Sequence, residues 1–204
     1  MTAPVWGTVM VTGHRPKDIP RDTHGWVRDK LALGVAWLRD ERGMTIGVTG
    51  MALGVDMWWA DALARAGMPF VAHIPYPQQP DPWRRNPQAV AEWERLRALA
   101  DRDREVVYGD LAGLAEHARK RVAVKLLHRR NDGMLDAVTP DGAVVAAWCP
   151  SKRDGGTYSA VSKAHQRRLP VIHINPEART VTVPSRARLA HLLNPTAPEP
   201  LIPA

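Results

Sequence analysis

Three glycine-bearing turns carry the residues with the clearest chemical potential. The first, Gly13-His14-Arg15-Pro16, directly follows the apolar run Val5–Thr12. The second, Thr49-Gly50-Met51-Ala52-Leu53-Gly54-Val55-Asp56, follows a β-branched run from Ile46 and opens a helical pattern. The third, Asp154-Gly155-Gly156-Thr157-Tyr158-Ser159, also stands between an apolar run and a helical pattern. A strand, a glycine loop and a helix together present backbone N–H groups and the positive end of a helix dipole to an anion. Arg15 adds a cation suited to phosphate, and Gly50 and Gly54 permit close approach of a ligand. Asp56, where its helix should begin, is either a first-turn cap or a carboxylate that accepts hydrogen bonds from ribose hydroxyls. Thr157 either caps its helix or donates its hydroxyl to a phosphate oxygen. Tyr76 leads into a proline-rich loop that contains Trp83; Tyr76 offers a flat surface to a base, and Trp83 either does the same or folds back on the core.

These turns need strands behind them. Val5–Thr12 reads as the first strand, followed by a helix from about Thr23 to Arg42 with Val27, Leu31, Val35 and Leu38 on its buried stripe. Gly43 marks its end. The central unit, Ile46–Gly67, continues into a helix carrying Trp58, Ala62, Leu63 and Ala66 at spacings of three and four. Pro69–Pro75 is a third strand, Gln78–Pro87 a polar loop, Gln88–Asp103 a helix and Glu105–Tyr108 a short strand. Leu111–Asp136 is mostly helical, with an interruption expected at Asn131-Asp132-Gly133. Ala143–Trp148 and Leu169–Ile174 are further strands, and Arg179–Val183 a short edge strand. This alternation implies an α/β fold, a parallel sheet covered on both faces, with His14 and Arg15 at the carboxyl end of a strand, where such sheets bind ligands. Residues 1–184 are expected to form one domain and 185–204 a Pro-rich tail.

The chain has 204 residues, 45% of them hydrophobic, enough for a globular core. Its single cysteine, Cys149, excludes an intrachain disulfide and a multi-cysteine metal site and fits a reducing compartment. No metal or cofactor is expected. No apolar run approaches the roughly 20 residues that span a bilayer, and the N-terminus lacks a signal-peptide pattern. A cytoplasmic protein without membrane partners is the expectation. The net charge of +7 favours anionic partners, either nucleic acid or phosphorylated small molecules, unless it reflects only an arginine-rich solvated surface. The densest basic run is Arg119, Lys120, Arg121, Lys125, Arg129 and Arg130, which puts a cationic face on one helix. That face is either simply solvated or a contact for single-stranded nucleic acid. A second copy of the chain is a further candidate partner.

Thr12-Gly13-His14-Arg15-Pro16, Thr49-Gly50 with Gly54 and Asp56, Asn131, and Gly156-Thr157 together resemble the SLOG superfamily, above all its YspA/YpsA-like branch. The resemblance covers most of residues 5–175. It implies a Rossmann-like three-layer fold with a mostly parallel central sheet, and a site for nucleotides or nucleotide-derived ligands such as ADP-ribose or NAD-related molecules. By this resemblance the ligand-binding set is Gly13, His14, Arg15, Gly50, Gly54, Asp56, Tyr76, Asn131, Gly155, Gly156 and Thr157. Some members are sensors and others cleave N-glycosidic bonds. The phosphoribohydrolases of the superfamily resemble the third turn through a PGGxGTxxE pattern, and nucleoside deoxyribosyltransferases share a similar turn. Here the glutamate position is Ala160, so the carboxylate expected to assist glycosidic cleavage is missing. Asp56, Asp136 and Asp154 are the candidates to replace it. DNA-processing proteins that load recombinase onto single strands carry SGxAxGID, which is similar to Thr49–Asp56, and imply a single-strand-binding alternative.

Overall fold

Runs of small and β-branched apolar residues pair in parallel at the centre of the protein and leave glycine turns at their carboxyl ends. A computed structural model describes residues 4–184 and 199–200. In chain order the elements are β1 (Thr8–Gly13), α1 (His24–Arg42), β2 (Ile46–Thr49), α2 (Val55–Arg65), β3 (Phe70–Ile74), α3 (Pro87–Leu99) and β4 (Val106–Val107). Next come α4 (Glu116–Ala137), β5 (Ala143–Ala147), α5 (Gly155–Gln166), β6 (Val171–Asn175), β7 (Thr180–Val183) and β8 (Glu199–Pro200). The sheet order is β4-β3-β2-β1-β5-β6-β7-β8, parallel from β4 to β6 and antiparallel at β7 and β8. This is a Rossmann-like three-layer α/β architecture. The strand order reverses between β1 and β5, which pair from Val9↔Ala143 to Gly13↔Ala147. The crevice outside the carboxyl ends at such a reversal is where open α/β sheets hold ligands.

Alternation along the strands supplies both faces of the sheet. Val9 and Val11 join one core with α1, α2 and α3, while Met10 joins the other with Met134 and Leu135 of α4 and Val161 of α5. Full burial of a Val or Leu side chain contributes about 1.5–3 kcal/mol, so both layers are strongly held. Val27, Leu31, Val35 and Leu38 are buried along α1, which ends at Gly43 with φ of 63°. No helix among the described residues is long and apolar enough to cross a membrane.

Several details depart from the sequence expectations. The first strand starts at Thr8: Val5 is exposed, the Trp6 amide donates to the Arg42 carbonyl at the end of α1, and the Gly7 carbonyl is shared between the Thr45 and Ile46 amides. On α2 the fully buried tryptophan is Trp59, whereas Trp58 is half-buried beside His24 and Arg28. Trp83, one candidate surface for a base, packs in the core. Helix α4 runs unbroken through Asn131-Asp132-Gly133. Gly133 is there for space: a Cβ would lie 1.8 Å from the Tyr108 hydroxyl. The expected 185–204 tail lies outside the described residues, apart from Glu199–Pro200, which pairs as β8.

Candidate functional site

The three glycine turns meet on one rim of the sheet because glycine lets them touch. A Cβ at Gly13 would lie 2.4 Å from Val55 Cγ1 and 2.7 Å from the Ala147 carbonyl oxygen, so a side chain there would push apart β1, α2 and β5. Gly54 has φ of 104° and lies against Pro16 and the His14 carbonyl. The Thr157 hydroxyl donates to the Gly13 carbonyl (2.8 Å), which ties the third turn to the first. The Thr157 proton is thus already engaged, and what its oxygen offers a ligand is acceptor capacity.

Between these turns and α4 lies a cavity of about 400 Å³. Val11, Thr12 and Met134 form apolar and hydroxyl-bearing walls, and Gly155, Gly156 and Thr157 present the start of α5. Arg15, Lys17, Lys152, His128 and Arg130 supply cations or potential cations, and Asp18, Asp56 and Asp154 supply carboxylates. Of the residues singled out from sequence, Gly13, His14, Arg15, Asp56, Asn131, Gly155, Gly156 and Thr157 line the cavity. Gly50, Gly54 and Tyr76 do not: the glycines shape the loops behind it, and Tyr76 is buried. Gly50 accepts at its carbonyl a hydrogen bond from Gln79 (3.0 Å).

The centre of the site is a buried ion pair. Arg130 Nη1 meets Asp56 Oδ2 at 2.9 Å, with side chains 6% and 7% exposed. The Ala52 amide also donates to that carboxylate oxygen (3.4 Å), and the Thr49 hydroxyl donates to the Asp56 carbonyl (2.8 Å). Burial pushes the Asp56 carboxyl above the usual carboxylate range, against the pull of Arg130. Gly50 makes room for the guanidinium, since a Cβ there would lie 1.3 Å from Arg130 Nη1. Arg130 therefore leaves the cationic surface face expected for it. Its spacing of four from Met134, which is buried on the same helix, was the available signal. Its Nε is buried without a hydrogen-bond partner among the described residues.

Around this pair the polar groups are tightly arranged. His14 is buried, and its Nδ1 accepts from the Cys149 amide (3.3 Å), which places the neutral ring's proton on Nε2. Burial lowers its pKa, so the neutral form is favoured. Behind Arg130, His73 Nδ1 lies 2.8 Å from the Tyr108 hydroxyl. Burial, and then the Arg130 charge, bring the His73 pKa down to about 4. Lys152 pairs with Asp18 across the mouth. Arg15 and Lys17 are exposed and form no ion pair among the described residues. The Asp154 side chain makes no capping bond to α5, which leaves the first-turn amides of that helix without that partner. Lys17, Asp18, Lys152 and His128 escaped the sequence reading because nothing local marks them.

The candidate replacement carboxylates separate clearly. Asp56 and Asp154 line the cavity, whereas Asp136 lies outside it, its side chain 68% exposed and paired with Arg167. Ala160 is buried in α5 and does not line the cavity. No group of three or more His, Cys, Asp or Glu side chains among the described residues is placed to hold a metal ion.

No protein-family profile matches the chain, and no curated protein matches it. Among solved structures it is similar to DNA processing protein A (DprA) from Streptococcus pneumoniae, with 18% sequence identity and a TM-score of 0.42. The match covers 82% of this chain and 50% of that one, so this chain spans about half the length of that protein.

Proposed function

We propose that the cavity binds a nucleotide-derived ligand of the ADP-ribose or NAD type, and that the protein acts as a binder or sensor. The observation that carries this reading is the start of α5, which lacks a side-chain cap from Asp154 and opens into a cavity that also holds Arg15 and Lys17, neither in an ion pair among the described residues. Amides at a helix start and unpaired cations together suit a phosphate or pyrophosphate. A cavity of about 400 Å³ is within the range of small-molecule sites. Asn131 offers an amide toward the same space, 3.2 Å from where a Gly156 Cβ would stand. The resemblance to the YspA/YpsA-like branch agrees with such a ligand.

Binding without hydrolysis is the favoured form of this reading. Glycosidic cleavage needs a carboxylate free to assist an oxocarbenium-like centre. Asp56 is committed to Arg130 and the expected glutamate is Ala160, which leaves Asp154 as the candidate carboxylate that lines the cavity without an ion pair among the described residues.

A second reading rests on the outer face of α4. Arg119, Lys120, Arg121, Lys125 and Arg129 form no ion pair among the described residues, and His128 carries that face to the cavity mouth. A single strand following it would release many counterions. Titrations of ADP-ribose, NAD and an oligonucleotide at several salt concentrations separate the two readings. The small-ligand reading predicts binding that is lost in Arg15→Ala and varies modestly with salt. A strand would show a log–log slope of about 0.7 per neutralised phosphate. Oligonucleotide binding with such a slope, and silence toward both small ligands, replaces the first reading with the second.

A further inference from the structure

Two cations inside the cavity are already paired, and the pairs differ in strength. Arg130 and Asp56 are almost wholly buried, and separating such a pair would strand a desolvated charge, so it is held firmly. Lys152 and Asp18 have side chains 39% and 19% exposed, where solvent screens an ion pair and leaves it weak. Asp18 belongs to the turn after β1 and Lys152 to the loop after β5, and those strands are neighbours at the reversal point of the sheet. Among the described residues each forms its ion pair only with the other, and both line the cavity beside Gly155 and Gly156.

The loops themselves do not depend on this pair. The Cys149 thiol donates to the Asp18 carbonyl (3.5 Å), the Cys149 amide donates to His14, and the Ser151 amide donates to Glu177 (3.2 Å). Lys152 can therefore change partner by side-chain rotation alone, on a flexible stem with three donors. A phosphate group offers it more acceptor oxygens and more negative charge than one carboxylate does.

Resting on the reading of the cavity as a phosphate-bearing-ligand site, we propose that Lys152 is a ligand-binding residue held in reserve by Asp18. A pyrophosphate-bearing ligand takes the ammonium from the Asp18 carboxylate as it binds. Asp18 thereby lowers affinity and discriminates against anions too weakly charged to compete with it. The Asp18 carboxyl responds accordingly. Its burial alone would push its pKa up, but the bond and charge of Lys152 hold it below the usual range, and the departure of Lys152 lets it rise.

The test is calorimetric titration of inorganic pyrophosphate and of ADP-ribose into the wild type, Asp18→Asn, Lys152→Gln and the double variant at low ionic strength. Thermal melts confirm that each is folded. Asp18→Asn is expected to tighten binding about twofold to fivefold, and Lys152→Gln to weaken it about tenfold or more. In the Lys152→Gln background, Asp18→Asn is expected to change little. Equal gains from Asp18→Asn in both backgrounds would show simple charge repulsion and overturn the proposal, as would Lys152→Gln binding like the wild type. Carboxyl NMR titration of Asp18 gives an independent readout, with its pKa expected to rise when ligand is present; an unmoved value counts against the exchange. If the wild type binds neither probe, the cavity reading itself fails, a result distinct from these.

Discussion

Replacing Arg130 with Met removes the guanidinium from the buried pair while keeping a side chain of similar length. Asp56, 5% exposed, is then left with the Ala52 amide at 3.4 Å as its remaining side-chain partner among the described residues. An uncompensated buried charge of this kind costs about 3–5 kcal/mol, a large share of the roughly 5–15 kcal/mol that holds a domain folded. For a chain of this length the midpoint of thermal unfolding should fall by about 6–20 °C. The loss carries a pH signature. Burial already raises the Asp56 carboxyl against the pull of Arg130, and without the guanidinium it rises further. A carboxyl whose pKa is higher folded than unfolded binds its proton more readily when folded. Its penalty is absent below the unfolded value, grows as pH rises between the two, and is complete above the folded value. Urea unfolding at about pH 7.5 and about pH 4.5 should therefore show Arg130→Met furthest from the wild type at the higher pH. Adding Asp56→Asn to Arg130→Met should recover much of the loss at neutral pH. A cost below about 1 kcal/mol, or one that is the same at both pH values, would refute the buried pair as the centre of the site.

Gly50→Ala should displace the Arg130 guanidinium, since the new methyl would lie 1.3 Å from Nη1, and so should destabilise the fold and abolish ADP-ribose binding together; calorimetry and melting curves check both. Gly133→Ala should lift α4 from Tyr108 and cost about 1–3 kcal/mol in urea unfolding, while Tyr108→Phe in the same background should restore part of it. Long-range nitrogen NMR should find His14 neutral with its proton on Nε2 at about pH 6.5, where half of ordinary histidines are charged, and a protonated ring there would contradict the site geometry. Incubation with AMP and CMP should release little or no free base by chromatography, because Ala160 stands where the glutamate is expected; base release that disappears in Asp56→Ala would make the protein a hydrolase.

The parallel core was legible because its signal is local. Val5–Thr12, Ile46–Thr49, Phe70–Ile74 and Ala143–Ala147 are apolar runs bounded by glycine or proline, and α1 repeats its apolar residues at helical spacing. The shared rim of the three turns followed from that alternation. What escaped was set by contacts distant in sequence. Trp58 and Trp59 are adjacent, and either suits a stripe through Ala62 and Ala66, so only the packed structure assigns the buried one. Arg130 looked like part of a basic run, but the partner that draws it inward, Asp56, is 74 residues away. Gly133 looked like a helix breaker, although its cause is Tyr108 on a different element. Trp83 stands among prolines and charges, where a packed ring and a ligand-facing one look alike in sequence, and the structure selects the packed one at 9% exposed. The Lys152–Asp18 pair spans 134 residues and has no local signature.

Titration of ADP-ribose into nitrogen-15-labelled protein, followed by amide shifts, tests the central claim most directly. The largest changes are expected on Gly155, Gly156 and Thr157, with Gly13, Arg15 and Asn131 next, while amides on the outer surfaces of α1 and α3 stay still. Changes confined to the outer face of α4 around Lys120–Lys125, or no change at any amide of the three glycine turns, would contradict it.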